Sequence, residues 1–225
     1  MFCYQCQETA GGKGCEVRGV CGKTEEVANL QDLLMFALKG AAFWIDKARA
    51  NGHTIDAATG KFLVTAIFST ITNANFDPDA IIGYIRETLK YRDMWRMKAL
   101  DCCGGGCGCG ASVLPECANW EAGTDEKIRM MAGRVGVLTT ANEDVRSLRE
   151  LVTYGLKGIA AYAHHAAELG HEDSTIYDHV VVALAGTAKD LSVDELVGLV
   201  MKTGEIAVKT MALLDKANTS AYGNP

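Results

Sequence analysis

LQDLLMFALKGAAFWIDKARANG, at residues 30–52, carries apolar side chains at the three- and four-residue steps of an amphipathic helix. Thr24 precedes this stretch as a candidate N-cap. Glu25 and Glu26 follow it, where the helix dipole favours acidic side chains. Asn51 and Gly52 are typical of a helix C-terminus. The pattern therefore predicts one long helix that begins after Thr24 and ends at Asn51.

A second stretch repeats this pattern, because residues 148–170 read LRELVTYGLKGIAAYAHHAAELG. The identical pairs are Leu30/Leu148, Leu33/Leu151, Leu38/Leu156, Lys39/Lys157, Gly40/Gly158, Ala42/Ala160, Ala48/Ala166 and Gly52/Gly170. The chemically similar pairs are Asp32/Glu150, Phe36/Tyr154 and Trp44/Tyr162. Residues 76–83 (FDPDAIIG) also match residues 191–198 (LSVDELVG), where Ser192 is a candidate helix cap. The order of the matches indicates an internal repeat.

The repeat predicts two successive three-helix units joined by short loops. In the first unit, the second helix is expected at about residues 57–72, and the third is expected from Pro78 to about residue 100. The Leu-Lys-Gly element predicts close helix approaches at Gly40 and Gly158. One alternative to the repeat stays open, namely that the two stretches are merely similar amphipathic helices. Separately, residues 135–140 (VGVLTT) could form either a short strand or an extended linker.

The predicted fold class is all-α, with two tandem three-helix bundles preceded by an N-terminal cysteine-rich loop. The expected parts of this single helical domain are the loop at residues 1–23, the first unit at 24–100, a Cys/Gly-rich linker at 101–141 and the second unit at 142–225.

The net charge, the apolar content and the number of cysteines exclude some classes of function and favour others. The 225 residues carry a formal net charge of −6, so no broad basic surface is expected for nucleic acid. Lys39, Asp46 and Lys61 interrupt the most apolar region, so no membrane span is expected. The first residues resemble no signal peptide, and a cytoplasmic location is the expectation. In a reducing compartment, nine cysteines favour metal binding or redox chemistry over structural disulfides.

Four of the cysteines stand at the amino terminus, in MFCYQCQETAGGKGCEVRGVCGK. Cys3, Cys6, Cys15 and Cys21 have the spacing C-x2-C-x8-C-x5-C, and glycines precede Cys15 and flank Cys21. Thiolates are soft ligands for iron–sulfur clusters and zinc, and glycines let a backbone wrap closely around an inorganic core. A zinc site usually has two C-x2-C pairs, whereas this stretch has one. The spacing favours a cluster over zinc and zinc over unliganded thiols, and all three interpretations stay open.

The same residues resemble the amino terminus of the hybrid cluster proteins, a family also called prismane proteins or hydroxylamine reductases. The resemblance extends to STITNANF, ANEDVRSLRELVTYGLKGIAAYAHHA, KDLSVDEL and TMALLDKANTSAYGNP, and so covers nearly the whole chain. It implies that Cys3, Cys6, Cys15 and Cys21 bind a [4Fe–4S] cluster, because their compact spacing resembles that form of the motif. A [2Fe–2S] cluster, which the wider-spaced variant binds, is the less favoured alternative. It also implies a helical amino-terminal domain of two three-helix bundles.

The resemblance further implies a parent reaction, the reduction of hydroxylamine to ammonia. Family members continue into two α/β domains whose histidine, glutamate and cysteine residues hold a hybrid iron–sulfur–oxygen cluster. This chain stops at Pro225, so those ligands are expected to be absent and the chain alone is expected not to be catalytically competent. The expected partners are the remaining hybrid-cluster domains and an electron donor protein that the sequence does not identify. The alternative function is a zinc-stabilised helical interaction module without redox activity.

A second cysteine group occurs in DCCGGGCGCGASVLPEC, in the linker between the repeats. Its members are Cys102, Cys103, Cys107, Cys109 and Cys117. Their spacing is poor for common metal geometries, and the glycines make the segment costly to order. An exposed, oxidisable loop is therefore favoured over a metal site. Cys102, Cys103, Cys107 and Cys109 are expected to be dispensable for the amino-terminal cluster.

Overall fold

The computed structural model describes residues 1–101 and 114–224, and its regular elements in these ranges are helical, which confirms the all-α class. The α-helices are α1 (Glu25–Ala50), α2 (Ala57–Ser69), α3 (Pro78–Asp101), α4 (Glu116–Asn119), α5 (Asp125–Ala132), α6 (Glu143–Glu168), α7 (Ser174–Ala188) and α8 (Val193–Tyr222). Two short 3-10 turns add Ala10–Gly12 and Val137–Thr139. The chain at residues 135–140 is therefore neither a strand nor fully extended.

Side-chain caps fix where the long helices begin. The Thr24 hydroxyl accepts a hydrogen bond from the Val27 N–H at 3.3 Å, so α1 starts where the sequence predicts. Ser192 and Glu195 form a reciprocal capping box at the start of α8. Past the end of α1, Gly52 has a φ of +92°, a left-handed conformation that favours glycine.

The middle helix of each repeat, α2 or α7, packs mainly against the first helix of the other repeat. α1 packs along α3, and α6 packs in the equivalent way along α8. However, α2 makes its main packing contact with α6, and α7 makes its main packing contact with α1. Three helices of one sequence unit therefore do not form a closed bundle by themselves, and the two units are interleaved.

The composition of α2 and α7 explains this arrangement. Leu63, Val64, Ala66 and Ile67 are all buried in α2, and α7 buries most of its residues between 176 and 187. A helix that is apolar around most of its circumference needs neighbours on several sides. Between α2 and α6, the His164 ring stacks on Phe68 with their centroids 4.8 Å apart.

The connection between α3 and α6 is more structured than a linker. α4 packs against α1, where the Trp44 indole N–H donates a 2.9 Å hydrogen bond to the Ala118 carbonyl oxygen. α5 also contacts α1. Cys117 lies buried in α4, so the exposure expected of the second cysteine group was wrong for this residue, which packs against α1. The predictions for Cys102, Cys103, Cys107 and Cys109 lie outside the described residues.

The close approach predicted at the Leu-Lys-Gly elements occurs in one repeat only. A Cβ on Gly40 would lie 2.0 Å from the carbonyl oxygen of Cys117, so α1 and α4 touch there through backbone. A Cβ on Gly158 would meet nothing within 4 Å. The expectation for Gly158 was wrong, because none of the described residues lies against it as α4 lies against Gly40.

The helices in residues 1–101 and 114–224 do not combine the length and apolarity that crossing a bilayer requires.

Candidate metal centre

The amino-terminal loop folds back on itself so that its first and third cysteines lie side by side. Cys3 and Cys15 form an isolated antiparallel bridge, and the Phe2 N–H donates to the Cys15 carbonyl oxygen at 2.9 Å. Gly14 has a φ of +89°, and a Cβ there would lie 2.0 Å from the Met1 sulfur. The return of the chain to Cys3 therefore depends on glycine.

A tight turn carries the fourth cysteine. The Gly19 N–H donates to the Lys23 carbonyl oxygen at 2.8 Å, and the Gly22 N–H donates to the Gly19 carbonyl oxygen at 2.8 Å. Gly22 has a φ of +94°, and a Cβ on Gly19 would lie 3.1 Å from the Cys21 Sγ. The left-handed conformation of this turn favours glycine at position 22, and a side chain at position 19 would crowd the Cys21 thiol.

The four cysteines of the loop differ in exposure, and none of them is in a disulfide. Cys15 is buried, Cys3 and Cys21 are half-buried, and Cys6 is exposed. All four are free thiols, and so is Cys117. The loop thus presents four cysteine sulfurs that are not paired in disulfides, graded from the protein interior to the surface.

Both repeats hold this loop in place. The Lys23 ammonium is buried and donates to the Gln31 amide oxygen of α1 at 2.7 Å, and Gln31 in turn donates to the Asn75 carbonyl oxygen at 3.0 Å. From α6, the Tyr154 hydroxyl donates to the Tyr4 carbonyl oxygen. The segment between Cys3 and Cys6 is therefore fixed against the second repeat, while Lys23 fixes the segment after Cys21 to the first.

Within the described residues, no three His, Cys, Asp or Glu side chains are grouped closely enough to hold a metal ion. The structure brings Cys3 and Cys15 together through their backbones and places Cys6 and Cys21 in the same loop. The ligation of a cluster by the four cysteines stays a prediction from the sequence.

A charged cavity of about 260 Å³ lies beside the loop, between α1 and α6. Asp32 and Lys39 of α1 line it, as do Glu150 and Lys157 of α6. These are equivalent positions of the two repeats, so each repeat contributes one acid and one lysine. Tyr4 of the loop also lines the cavity. The Lys157 ammonium donates to the Thr70 carbonyl oxygen at 3.2 Å.

Burial perturbs the acid–base chemistry of this cavity. It raises the pKa of Asp32 from 3.8 to about 6, although the positive charge of Lys157 acts in the opposite direction. Burial lowers the pKa of Lys157 from 10.5 to about 8, and the negative charge of Asp32 again opposes the shift. The pKa of Lys39 is lowered too, chiefly by burial. These groups therefore change charge closer to neutral pH than exposed ones do.

The sequence patterns considered above did not predict this cavity, although the sequence contains a signal for it. Asp32/Glu150 and Lys39/Lys157 recur at matching places within otherwise apolar helix faces. A charge retained on a buried face of both repeats predicts a shared polar site between them.

Comparison with known proteins identifies relatives over the whole chain. The model of the Prismane/CO dehydrogenase family matches residues 1–225. The chain is 48% identical over 231 residues to the hydroxylamine reductase of Clostridium novyi (strain NT) and 51% identical over 230 residues to that of Acetivibrio thermocellus. It is 52% identical over 227 residues to the hydroxylamine reductase of Halothermothrix orenii.

These alignments cover 100% of this chain but only 40–41% of each relative, at the amino-terminal end. The chain therefore spans about two fifths of the length of the relatives that it matches. Since the family match runs from the first residue to the last, the chain belongs to the Prismane/CO dehydrogenase family.

Proposed function

We propose that this chain is the electron-transfer part of an oxidoreductase of the hydroxylamine reductase type. In this proposal Cys3, Cys6, Cys15 and Cys21 bind one [4Fe–4S] cluster. The observation that carries it is the loop itself: four free thiols lie within 21 residues, and two of them are paired through the backbone. Family membership supports the same chemistry, because the family binds iron–sulfur clusters.

The donor set suits such a group. Thiolates are the usual ligands of iron–sulfur clusters, and a cluster held by four of them supplies one-electron transfer. Positive φ values at Gly11, Gly12, Gly14 and Gly22 allow the backbone to curve around a bulky inorganic core. Amide N–H groups of such a loop can donate to sulfur and so offset its negative charge.

The surrounding residues have separate roles in this proposal. Cys15 is only 7% exposed, and its burial limits the access of water to one side of the site. Gln31 and Tyr154 hold the two ends of the loop, so the thiols keep their relative positions when the charge of the site changes. The ammonium of Lys157 has an electrostatic interaction with Cys3, and it favours the more negative state of the site.

The activity of the whole enzyme belongs to a longer polypeptide in this proposal. Reduction of hydroxylamine to ammonia would take place in the part that corresponds to the remaining three fifths of the relatives, where a hybrid iron–sulfur–oxygen cluster would be held. The loop would receive electrons from a cytoplasmic donor protein and pass them to that part. Cys6, the exposed ligand, lies where such an exchange with a partner would occur.

Anaerobic analysis of iron, acid-labile sulfide and zinc tests the proposal directly. The reconstituted protein is expected to contain four iron and four sulfide per chain and to show the broad brown absorbance of a cubane. Substitution of Cys15 by Ser is expected to lower the iron content sharply, because the serine oxygen is a harder ligand than sulfur.

The matched control is Cys117→Ser, which alters a buried free thiol outside the loop. It is expected to leave iron and sulfide unchanged, as is the simultaneous replacement of Cys102, Cys103, Cys107 and Cys109 by Ser. A colourless protein with one zinc per chain would instead establish the zinc-stabilised interaction module. Full iron retention by Ser variants of all four loop cysteines would refute the ligand assignment.

A further inference from the structure

Helix α8 has two distinct faces. One face is buried against α6 and α7 and includes Leu196, Thr203, Ile206 and Thr210. The other carries large apolar side chains that the described residues leave uncovered. Val197 is 44% exposed, Met201 71%, Val208 68% and Met211 54%.

These four side chains and Gly204 form one stripe. Their positions, 197, 201, 204, 208 and 211, follow steps of four, three, four and three residues. This is the spacing of a seam that packs against another helix. A Cβ on Gly204 would meet nothing within 4 Å, so the seam is open at its centre. We name these five residues the α8 seam.

The size of the α8 seam limits what can occupy it. Its 14 residue steps span about 21 Å at 1.5 Å per residue, and one face of a helix about 10 Å across gives roughly 200 Å². An independent partner usually needs about 800 Å² on each side for a stable complex. A second copy of this chain would therefore find too little surface here, whereas a covalently connected segment has a high effective concentration and needs less.

The relatives supply such a segment. They extend about three fifths of their length beyond the part that matches this chain. Tyr222, where α8 ends, lies only eleven positions after Met211. Consecutive elements of a chain usually pack beside each other, so polypeptide that continues past this point returns most readily along α8.

We propose that the α8 seam is the docking surface for an amphipathic helix of the polypeptide that corresponds to the carboxy-terminal three fifths of the relatives. The docked helix covers Val197, Met201, Val208 and Met211 and approaches closely at Gly204. This contact joins the two parts of the enzyme independently of the cysteine loop, and it does not rest on the proposed cluster.

Oxidation of methionine by dilute peroxide, followed by mass spectrometry, tests the proposal, because an exposed thioether is oxidised faster than a buried one. The test compares the 225-residue chain with the same chain joined after Pro225 to the carboxy-terminal part of the Clostridium novyi relative. Met201 and Met211 are expected to be oxidised at least tenfold more slowly in the joined chain. Met97 and Met130, which are 68% and 56% exposed on other helices, serve as internal controls and are expected to keep their rates.

The second measurement uses a variant that places a charged side chain in the α8 seam. Val208→Lys is expected to leave the circular dichroism and melting temperature of the 225-residue chain unchanged, because Val208 is exposed there. In the joined chain it is expected to restore fast oxidation of Met211. The matched control is Val182→Lys on α7, at a position 39% exposed, which is expected to preserve the protection.

Three outcomes would overturn the proposal. Met201 and Met211 could be oxidised equally fast in both proteins, or all four methionines could be slowed alike. Alternatively, protection in the 225-residue chain could increase with its concentration and accompany a dimer in sedimentation, which would assign the seam to a second copy.

Discussion

Gly40 of α1 lies against the backbone of Cys117, whose carbonyl oxygen would be 2.0 Å from a Cβ at that position. The equivalent position of the second repeat, Gly158, is exposed and meets nothing within 4 Å. The two glycines therefore form a matched pair in which one is required by packing and the other is not.

Substitution of each glycine by alanine is expected to change stability in opposite directions. Gly40→Ala should lower the free energy of unfolding by roughly 1–3 kcal/mol, because the methyl group must displace the backbone of α4. Gly158→Ala should raise it by roughly 0.5–1 kcal/mol, because alanine lowers the entropy of the unfolded chain and favours helix. Urea unfolding monitored by circular dichroism measures both. Equal effects at the two sites would contradict the asymmetry between the repeats.

The Lys23–Gln31 hydrogen bond is expected to stabilise the cysteine loop. Gln31→Leu removes the 2.7 Å acceptor from a lysine that is 1% exposed, so a buried ammonium loses its partner. We expect a loss of about 3 kcal/mol in the free energy of unfolding. We also expect faster loss of iron from the reconstituted protein to a chelator. Gln7→Leu, at an exposed position of the same loop, is the control and should change neither quantity.

Asp32 is expected to make stability depend on pH. Its pKa is about 6 in the folded state, above the ordinary 3.8, so the folded chain holds a proton that the unfolded chain releases between these values. The free energy of unfolding should therefore fall as the pH rises from about 4 to about 6, by up to about 3 kcal/mol. Asp32→Asn should flatten this fall, as measured by urea unfolding at several pH values. Asp215→Asn, which alters an exposed carboxylate of α8, should leave the fall unchanged.

Lys157 provides an independent check of the same cavity. Its pKa is lowered to about 8, and Asp32 opposes that shift. The folded chain therefore binds fewer protons than the unfolded chain between about pH 8 and 10.5, and stability should rise with pH across this interval. In Asp32→Asn the pKa of Lys157 should fall below 8, because an attractive charge is lost. Nitrogen NMR of the Lys157 side chain measures it, and an unchanged pKa would mean that the two groups do not interact.

The reconstituted 225-residue chain is expected to exchange single electrons without reducing hydroxylamine. A cluster held by four thiolates has no open coordination position for the N–O substrate. Reduced dye and hydroxylamine should therefore give no ammonia, although the visible spectrum should report reduction of the cluster. Ammonia production should appear when the chain is joined to the carboxy-terminal part of a relative. Turnover by the 225-residue chain alone would disprove this division of labour.

Local signals predicted the long helices well. Thr24, Pro78 and Ser192 stand at the starts of α1, α3 and α8, because capping and helix-start chemistry involve only a few neighbouring residues. The repeat also predicted which helices would be equivalent. α4 and α5 were missed because they are short, with four and eight residues, and too brief to show a clear apolar period.

The tertiary relationships were harder to predict. No local sequence feature of α2 predicts that it packs on α6, because its apolar residues could pack against α1 or α3 equally well. The charged cavity is formed by α1 and α6, which are far apart in the sequence. Predicting that Asp32 and Lys157 lie close together therefore requires knowing how these two helices pack. For the candidate site, the sequence supplied the four cysteines, whereas the hydrogen bonds of Gln31 and Tyr154 that hold their loop emerged only from the fold.

The interleaving of α2 and α7 has a consequence for how the two halves depend on each other. Thr65 of α2 contacts His164 of α6 at 3.1 Å, and Arg49 of α1 pairs with Asp178 of α7 at 3.1 Å. In a polypeptide containing one repeat alone, the middle helix would lose these partners, and exchange of that helix with a second copy would restore them. The chain thus has the architecture of a domain-swapped dimer whose two subunits have been joined end to end.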